Sequence, residues 1–118
     1  MRGEADLALV FSPELWVEDL HRHCTDHGGA RVRQVVLDPQ LALDEHCDVL
    51  ILSHRWPALS RGLVDSLHAK RRLVLGVFDR HEPAGREHLS ALGVDAIIEG
   101  DAGPVEFLRV VRALVDAT

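Results

Sequence analysis

The sequence predicts a single α/β domain, a three-layer sandwich in which helices cover both faces of a five-stranded parallel sheet. Short apolar runs rich in valine, leucine and isoleucine alternate with segments of helical periodicity five times along the chain. The clearest of these runs are continuous rather than alternating, which is typical of parallel strands buried on both faces. The chain of 118 residues has a common length for one hydrophobic core.

The first βα unit starts with the apolar run Asp6–Phe11. Ser12, Pro13 and Glu14 follow at once. Serine is a favoured N-cap, proline fits the first helical position, and a carboxylate is stabilised at the positive end of the helix dipole. We therefore predict that a helix starts here and ends at Gly28 and Gly29. Its i, i+4 spacing predicts one inward stripe: Trp16, Leu20, Cys24 and His27.

The second and third units show the same order of an apolar strand, a turn and a helix. A strand is predicted at about Arg31–Leu37, and Asp38 with Pro39 then predicts the start of a short second helix. The run Asp48–Ser53 is the clearest buried strand of the chain. A third helix is expected after Pro57, with its apolar face formed by Leu59, Leu63, Val64 and Leu67.

The last two units complete the sheet. The fourth strand is predicted at Leu73–Phe78, and the fourth helix at about Pro83–Leu92 with Gly93 closing it. Ala96–Ile98 is the fifth strand. Gly103 and Pro104 then open the last helix. Its apolar face consists of Phe107, Leu108, Val111, Leu114 and Val115.

The composition of the chain argues against nucleic-acid-binding, disulfide-rich and membrane-spanning proteins. Nineteen acidic residues against 13 basic ones give a formal charge of −6, which argues against a nucleic-acid-binding surface. Two cysteines do not make a disulfide framework and fit a reducing compartment. The sequence has no apolar run long enough for a signal peptide or a membrane span. We therefore expect a cytoplasmic domain with no membrane or nucleic-acid partner.

Three segments resemble the receiver domains of response regulators, the CheY-like branch of the flavodoxin-like fold. DVLILSHRWP (Asp48–Pro57) is similar to the receiver strand that ends in the phosphorylated aspartate, with a proline four residues later. LVLGVF (Leu73–Phe78) and GVDAIIE (Gly93–Glu99) are similar to the last two strands, of which the second ends in a lysine in that family. The resemblance extends over the whole chain and implies the strand order 2-1-3-4-5.

The working residues of that family do not carry over. The acidic pair that holds magnesium would fall near Phe11 and Ser12, and the phosphoryl acceptor at Ser53. The switch serine or threonine would fall near Phe78, and the lysine that pairs with the phosphoryl group at Glu99. A serine cannot form an acyl phosphate, and Glu99 would repel a dianionic phosphoryl group that no magnesium neutralises. The resemblance therefore implies a degenerate pseudo-receiver without catalytic residues, metal or cofactor.

We expect such a pseudo-receiver to be a regulatory module that works by binding protein. Such domains occur, for example, at the N-terminus of MinD-like ATPases of the CpaE/TadZ kind, so we expect residues 1–118 to be one domain of a longer protein that controls an attached effector or self-associates. In receivers the usual dimer surface is the face of the fourth helix, fifth strand and fifth helix. The resemblance places these residues there: Arg86, His88, Glu99, Arg109 and Arg112.

Other signals leave one alternative open. His23 and His27 have a spacing that can chelate a metal on a helix, but Cys24 belongs to the apolar stripe, so we do not predict a metal site. The sequence contains neither glycine-rich phosphate-binding motif, and Ser53 and His54, as neighbours on a strand, should point to opposite sides. The alternative is a small-molecule sensor that uses the vacated pocket at the carboxyl ends of the strands.

Overall fold

A computed structural model describes residues 4–37, 46–57 and 59–117. Five parallel strands pair in the order β2-β1-β3-β4-β5, which confirms the predicted sheet. The strands are β1 (Ala5–Val10), β2 (Ala30–Val36), β3 (Val49–Ser53), β4 (Leu73–Phe78) and β5 (Ala96–Glu99). The helices of the described residues are α1 (Leu15–His27), α2 (Arg61–Ala69), α3 (Ala84–Leu92) and α4 (Pro104–Asp116). The short second helix predicted from Asp38 and Pro39 lies outside the described residues.

Two apolar clusters, one on each face of the sheet, form the core. Successive side chains of a strand point to opposite faces, so Leu7 and Leu9 belong to one cluster while Ala8 and Val10 belong to the other. The first cluster is covered by α1 and α4, whose Trp16 and Phe107 rings stack with centroids 5.7 Å apart. The second cluster is covered by α2 and α3. The three predicted layers are therefore present.

The start of α1 differs from the prediction. The helix begins at Leu15, so Ser12 and Pro13 lie before it rather than at its N-cap and first turn. The Ser12 hydroxyl accepts a hydrogen bond from the Glu14 backbone N–H at 3.2 Å, a local turn that competes with helix capping. The inward stripe holds Trp16, Leu20 and Cys24 as predicted, together with Val17. His27 is exposed, which is a correction.

The ends of the other helices follow their sequence signals. The Ser60 hydroxyl caps α2 by accepting from the Leu63 backbone N–H at 3.2 Å. Gly93 ends α3 in the left-handed conformation, with φ at 81°, and Pro104 takes the first turn of α4. Because all five strands are parallel, their carboxyl ends lie at one edge of the sheet. We call this edge the carboxyl edge.

The two cysteine thiols are free and buried. Burial raises the pKa of the Cys47 thiol to about 11, so only a very small fraction is thiolate at neutral pH. Burial also raises the pKa of Cys24. Both thiols therefore pack as small apolar groups. Among the described residues, no helix is both long enough and apolar enough to cross a membrane.

Candidate functional site

The predicted site residues lie along the carboxyl edge but do not converge. Ser53 ends β3 with 4% of its surface exposed, whereas Phe11, just after β1, is 52% exposed. The Phe78 side chain packs into the cluster covered by α2 and α3. Glu99 is exposed at the end of β5. Phe11, Ser12 and Ser53 line one cavity, and Phe78 pairs with Glu99 in the β4–β5 register. Of the five predicted positions, Ser12 and Ser53 are the two whose side chains share a hydrogen-bond partner.

Glu14 connects these two serines. The Ser53 hydroxyl donates to its Oε1 at 2.6 Å, and the Ser12 hydroxyl donates to the same oxygen at 3.0 Å. The Trp16 indole N–H donates to Oε2 at 3.3 Å. The Ser53 oxygen also accepts from the Arg55 backbone N–H at 3.2 Å. The carboxylate therefore lies against the serine that occupies the expected phosphoryl-acceptor position, and the serine hydroxyl is engaged both as donor and as acceptor.

Glu14 brings a carboxylate to this site, although Phe11 and Ser12, where the resemblance places the acidic pair, carry none. The position of Glu14 in the sequence could have indicated this carboxylate, because it lies only four residues beyond the end of β1. The sequence pattern alone predicts a helix-start residue here, since a carboxylate at that position suits the helix dipole. The contact with Ser53 joins residues 39 apart in the chain, which no local rule can predict.

Arg55 ties the loop after β3 to the loop after β4. Its Nη2 lies 3.1 Å from Asp79 Oδ2 and also donates to Glu82 Oε1. The pKa of Asp79 is held below its usual value by a hydrogen bond from the His81 backbone N–H and by the nearby Arg55 charge. Because these side chains are substantially exposed, each ion pair contributes little to stability. They join the loop after β3 to the loop that leads into α3.

The side chain of His54 points away from Ser53, as expected for neighbours on a strand. Its side chain is 8% exposed and lies against the first turn of α3, where Gly85 leaves room for the ring. The Nε2 atom is 3.7 Å from Glu82 Oε2, too far for a hydrogen bond. Ser53 and His54 therefore do not form a catalytic pair.

We expect Gly85→Ala to destabilise the domain, although alanine is the better helix former. A Cβ atom at this position would lie 2.5 Å from His54 Nδ1. Overpacking of this kind costs about 1–3 kcal/mol, which exceeds the helix-propensity gain of about 1 kcal/mol. Urea unfolding measures the free energy directly.

The matched control is Gly62→Ala in α2, where the nearest atom to a new Cβ is Ser60 Oγ at 3.9 Å. Here only the backbone effect remains, so we expect a gain of about 0.5 kcal/mol. Two changes of the same sign would show that the His54 ring does not restrict this site.

Two of the cavities that Glu14 lines at the carboxyl edge lie over groups described above. One, of about 300 Å³, lies over Ser53 and is bounded by Ser12 and Trp56; it is the vacated pocket of the sequence prediction. The other, of about 480 Å³, lies between the N-terminal ends of α1 and α4, over Trp16 and Phe107. Both volumes fall in the lower part of the range typical of small-molecule sites.

Metal-ligating side chains cluster elsewhere. In the described part of the chain, one group could place three ligand atoms within 4.8 Å of one another, namely Asp6, His46 and Asp48 at the opposite edge of the sheet. Asp6 is already paired with Arg31 at 3.0 Å, and Asp48 Oδ2 accepts from the Asp6 backbone N–H at 2.8 Å. These carboxylates therefore have structural roles. His23 and His27 lie side by side on α1, with ring centroids 4.8 Å apart.

The residues expected at a dimer surface all lie exposed around the β5 edge of the sheet. Arg86 and His88 are on α3, and Arg109 and Arg112 are on α4. Arg109 forms a bidentate pair with Glu106 on its own helix, with its Nε 3.0 Å from both carboxylate oxygens. This face therefore carries charges of both signs.

Solved structures share this architecture over its full extent. The chain superposes on the receiver domain of the response regulator NarL from Mycobacterium tuberculosis with a TM-score of 0.80 and 18% identity, covering 99% of this chain and 100% of that one. The chain has the response-regulator receiver fold. The receiver domain of sensor histidine kinase PA1611 from Pseudomonas aeruginosa, which holds magnesium in its active-site cleft, gives a TM-score of 0.75 at 15% identity, covering 97% of this chain and 99% of that one.

A third receiver fold extends the comparison to a longer regulator. DrrB, an OmpR/PhoB homolog from Thermotoga maritima, matches with a TM-score of 0.73 and 13% identity, covering 98% of this chain and 54% of that one. No protein-family model and no curated protein sequence matches the chain. The chain therefore shares the receiver fold with these structures at 13–18% sequence identity.

Proposed function

We propose that this chain is a receiver-like regulatory domain that works without phosphorylation, catalyses no reaction and acts by binding protein. The bound protein is a second copy of the chain or an attached effector domain. The observation that carries the proposal is the contact between Ser53 and Glu14. The position of the phosphoryl acceptor holds a buried serine whose hydroxyl already donates to a carboxylate.

Electrostatics support the same conclusion. A phosphoryl group on Ser53 would bring nearly two negative charges against Glu14. At 4 Å, each pair of like charges costs about 4 kcal/mol at the dielectric of a partly buried site. At the position where the resemblance expects the lysine that would offset that repulsion, the sequence has Glu99.

An amide NMR titration with magnesium and then beryllofluoride, a phosphoryl mimic, tests this proposal. We expect no shift of the Ser53 and Glu99 amide signals at concentrations that saturate a receiver domain with an intact aspartate, run in parallel as the reagent control. Saturable shifts at both residues would mean that a working switch is present and that the proposal is wrong.

For the protein contact, the face built from α3, β5 and α4 is the surface we favour. We expect the double substitution Arg109→Glu with Arg112→Glu to weaken self-association about tenfold, because exposed ion pairs contribute up to about 1 kcal/mol each. Sedimentation velocity over a concentration series measures this. The control is Arg22→Glu with Arg33→Glu, exposed positions on α1 and β2, which should leave the association unchanged. Unaltered association of the first double variant would rule out this face as the dimer surface.

Ligand sensing is the second candidate, and the cavity of about 300 Å³ over Ser53 is the observation that favours it. A ligand of this cavity would raise the melting temperature in proportion to the logarithm of its concentration, whereas a missing protein partner would not. The origin of the domain in a CpaE/TadZ-type ATPase remains a prediction that the full reading frame tests.

A further inference from the structure

The larger cavity at the carboxyl edge has an aromatic base. Trp16 and Phe107, whose rings stack, lie beneath it with Leu20, and all three are at most 4% exposed as residues. The N-terminal ends of α1 and α4 flank the mouth of this cavity. We call it the α1–α4 cavity. A space of about 480 Å³ over a rigid apolar base has the dimensions of a small-molecule site.

Carboxylates dominate the charge at the rim of the α1–α4 cavity. Four line it, those of Glu14, Asp19, Asp79 and Asp101. Arg80, the guanidinium among the lining residues, pairs with Asp101 at 3.1 Å. Asp19 has no ion-pair or hydrogen-bond partner within the described ranges 4–37, 46–57 and 59–117.

The helix dipoles do not reverse this balance. Each helix N-terminus carries the equivalent of about half a positive charge, so α1 and α4 together contribute about one. Arg55 offsets Asp79 from outside the cavity, through the ion pair at 3.1 Å. In a count restricted to carboxylates, guanidinium groups and helix dipoles, Arg80 balances one carboxylate, the two dipoles balance another, and Arg55 is shared between Asp79 and Glu82, so at least about one negative charge remains uncompensated. An anionic ligand is therefore disfavoured, although two helix N-termini are present.

We propose that the α1–α4 cavity binds a small organic cation, an ammonium or guanidinium group carried on an apolar body. The cation lies among the rim carboxylates, with Asp19 as its unpaired partner. The apolar body packs over Trp16 and Leu20 at the base of the cavity. The α1–α4 cavity shares Glu14 with the Ser53 contact behind the proposed function. The inference does not depend on that function, because a domain that acts through a protein contact can hold such a ligand or lack it.

The indole N–H signals of the two tryptophans provide the test. We expect phenethylammonium to produce a saturable shift of the Trp16 signal while the Trp56 signal stays in place. The neutral analogue 2-phenylethanol and the anion phenylacetate should bind at least tenfold more weakly. Agmatine, titrated in parallel, presents a guanidinium and an ammonium without an aromatic ring. No saturable Trp16 shift with either cation, or equal binding of the anion, would overturn the proposal.

Variants of the rim separate charge recognition from binding to the aromatic base alone. We expect the double substitution Asp19→Asn with Asp101→Asn to weaken phenethylammonium binding about tenfold, measured as the dissociation constant. Asp65→Asn, an exposed change on α2 across the sheet, is the matched control and should leave the constant unchanged. An unchanged constant in the double variant would also overturn the proposal, since the ligand would then be held without the carboxylates.

Discussion

Replacing Ser53 by aspartate, which restores the residue type of a phosphoryl acceptor, should destabilise this domain by about 3 kcal/mol at pH 8. The introduced carboxylate would take the place of a hydroxyl that lies 2.6 Å from Glu14 Oε1, in a position that is 4% exposed. A buried charge without a partner typically costs about 3–5 kcal/mol. The nearby backbone N–H of Arg55 can donate to the new group and offsets part of this cost.

The pH dependence of the Ser53→Asp variant has a definite sign. Two carboxyl groups that share one site cannot both ionise readily, so the folded state retains a proton that the unfolded state loses. Where the folded state binds more protons, stability falls as pH rises. The loss should begin near pH 4, the ordinary range for aspartate and glutamate, and continue upward. The variant should therefore be more stable relative to the parent at pH 5 than at pH 8.

Two further variants isolate the charge. Ser53→Asn has nearly the same shape as Ser53→Asp, but its amide can donate to Glu14, so we expect less than half the loss and no added pH dependence. Glu14→Gln combined with Ser53→Asp removes the repulsion and should recover most of the stability. Urea unfolding at pH 5 and pH 8 measures all three. Equal losses for the asparagine and aspartate variants at both pH values would contradict a buried carboxylate at this site.

The fold was predictable because its signals are local and repeated. Runs such as Asp48–Ser53 and Leu73–Phe78 must be buried on both faces, and continuous apolar sequence is the direct consequence. The glycines and prolines that punctuate these runs act through their own backbone preferences. Both kinds of signal depend on only a few neighbouring residues. The predicted strands and most of the predicted helix ends therefore agree with the structure.

The site was predictable only in part, because its contacts join distant segments. Ser53 and Ser12 were named from the resemblance, but Glu14 was assigned to the helix start, where a local rule sufficed to explain it. His27 was assigned to the core on spacing alone. On α1 the buried residues stop at Cys24, and the His27 ring lies beside His23 instead. The α1–α4 cavity depends on where the loops after β1, β4 and β5 meet, which spacing does not encode.

Phe107→Ala should cost the domain about 4 kcal/mol, a large part of the 5–15 kcal/mol that stabilises a typical domain. The ring is 1% exposed and stacks on Trp16, so its removal leaves a void beneath the α1–α4 cavity and ends a favourable aromatic pair. Phe11→Ala is the matched control. Its ring is on a residue that is 52% exposed, and we expect a loss below about 1 kcal/mol.

Urea unfolding of the two phenylalanine variants compares the same chemical change in two environments. If the domain is too unstable to purify after Phe107→Ala, Phe107→Leu keeps most of the volume and should cost less than about 1.5 kcal/mol, which keeps the measurement within range. The ordering is the decisive result: Phe107→Ala must lose more than Phe107→Leu and far more than Phe11→Ala. Similar losses at Phe107 and Phe11 would mean that α4 does not pack its Phe107 face on α1, and the base of the α1–α4 cavity would then be wrong as well.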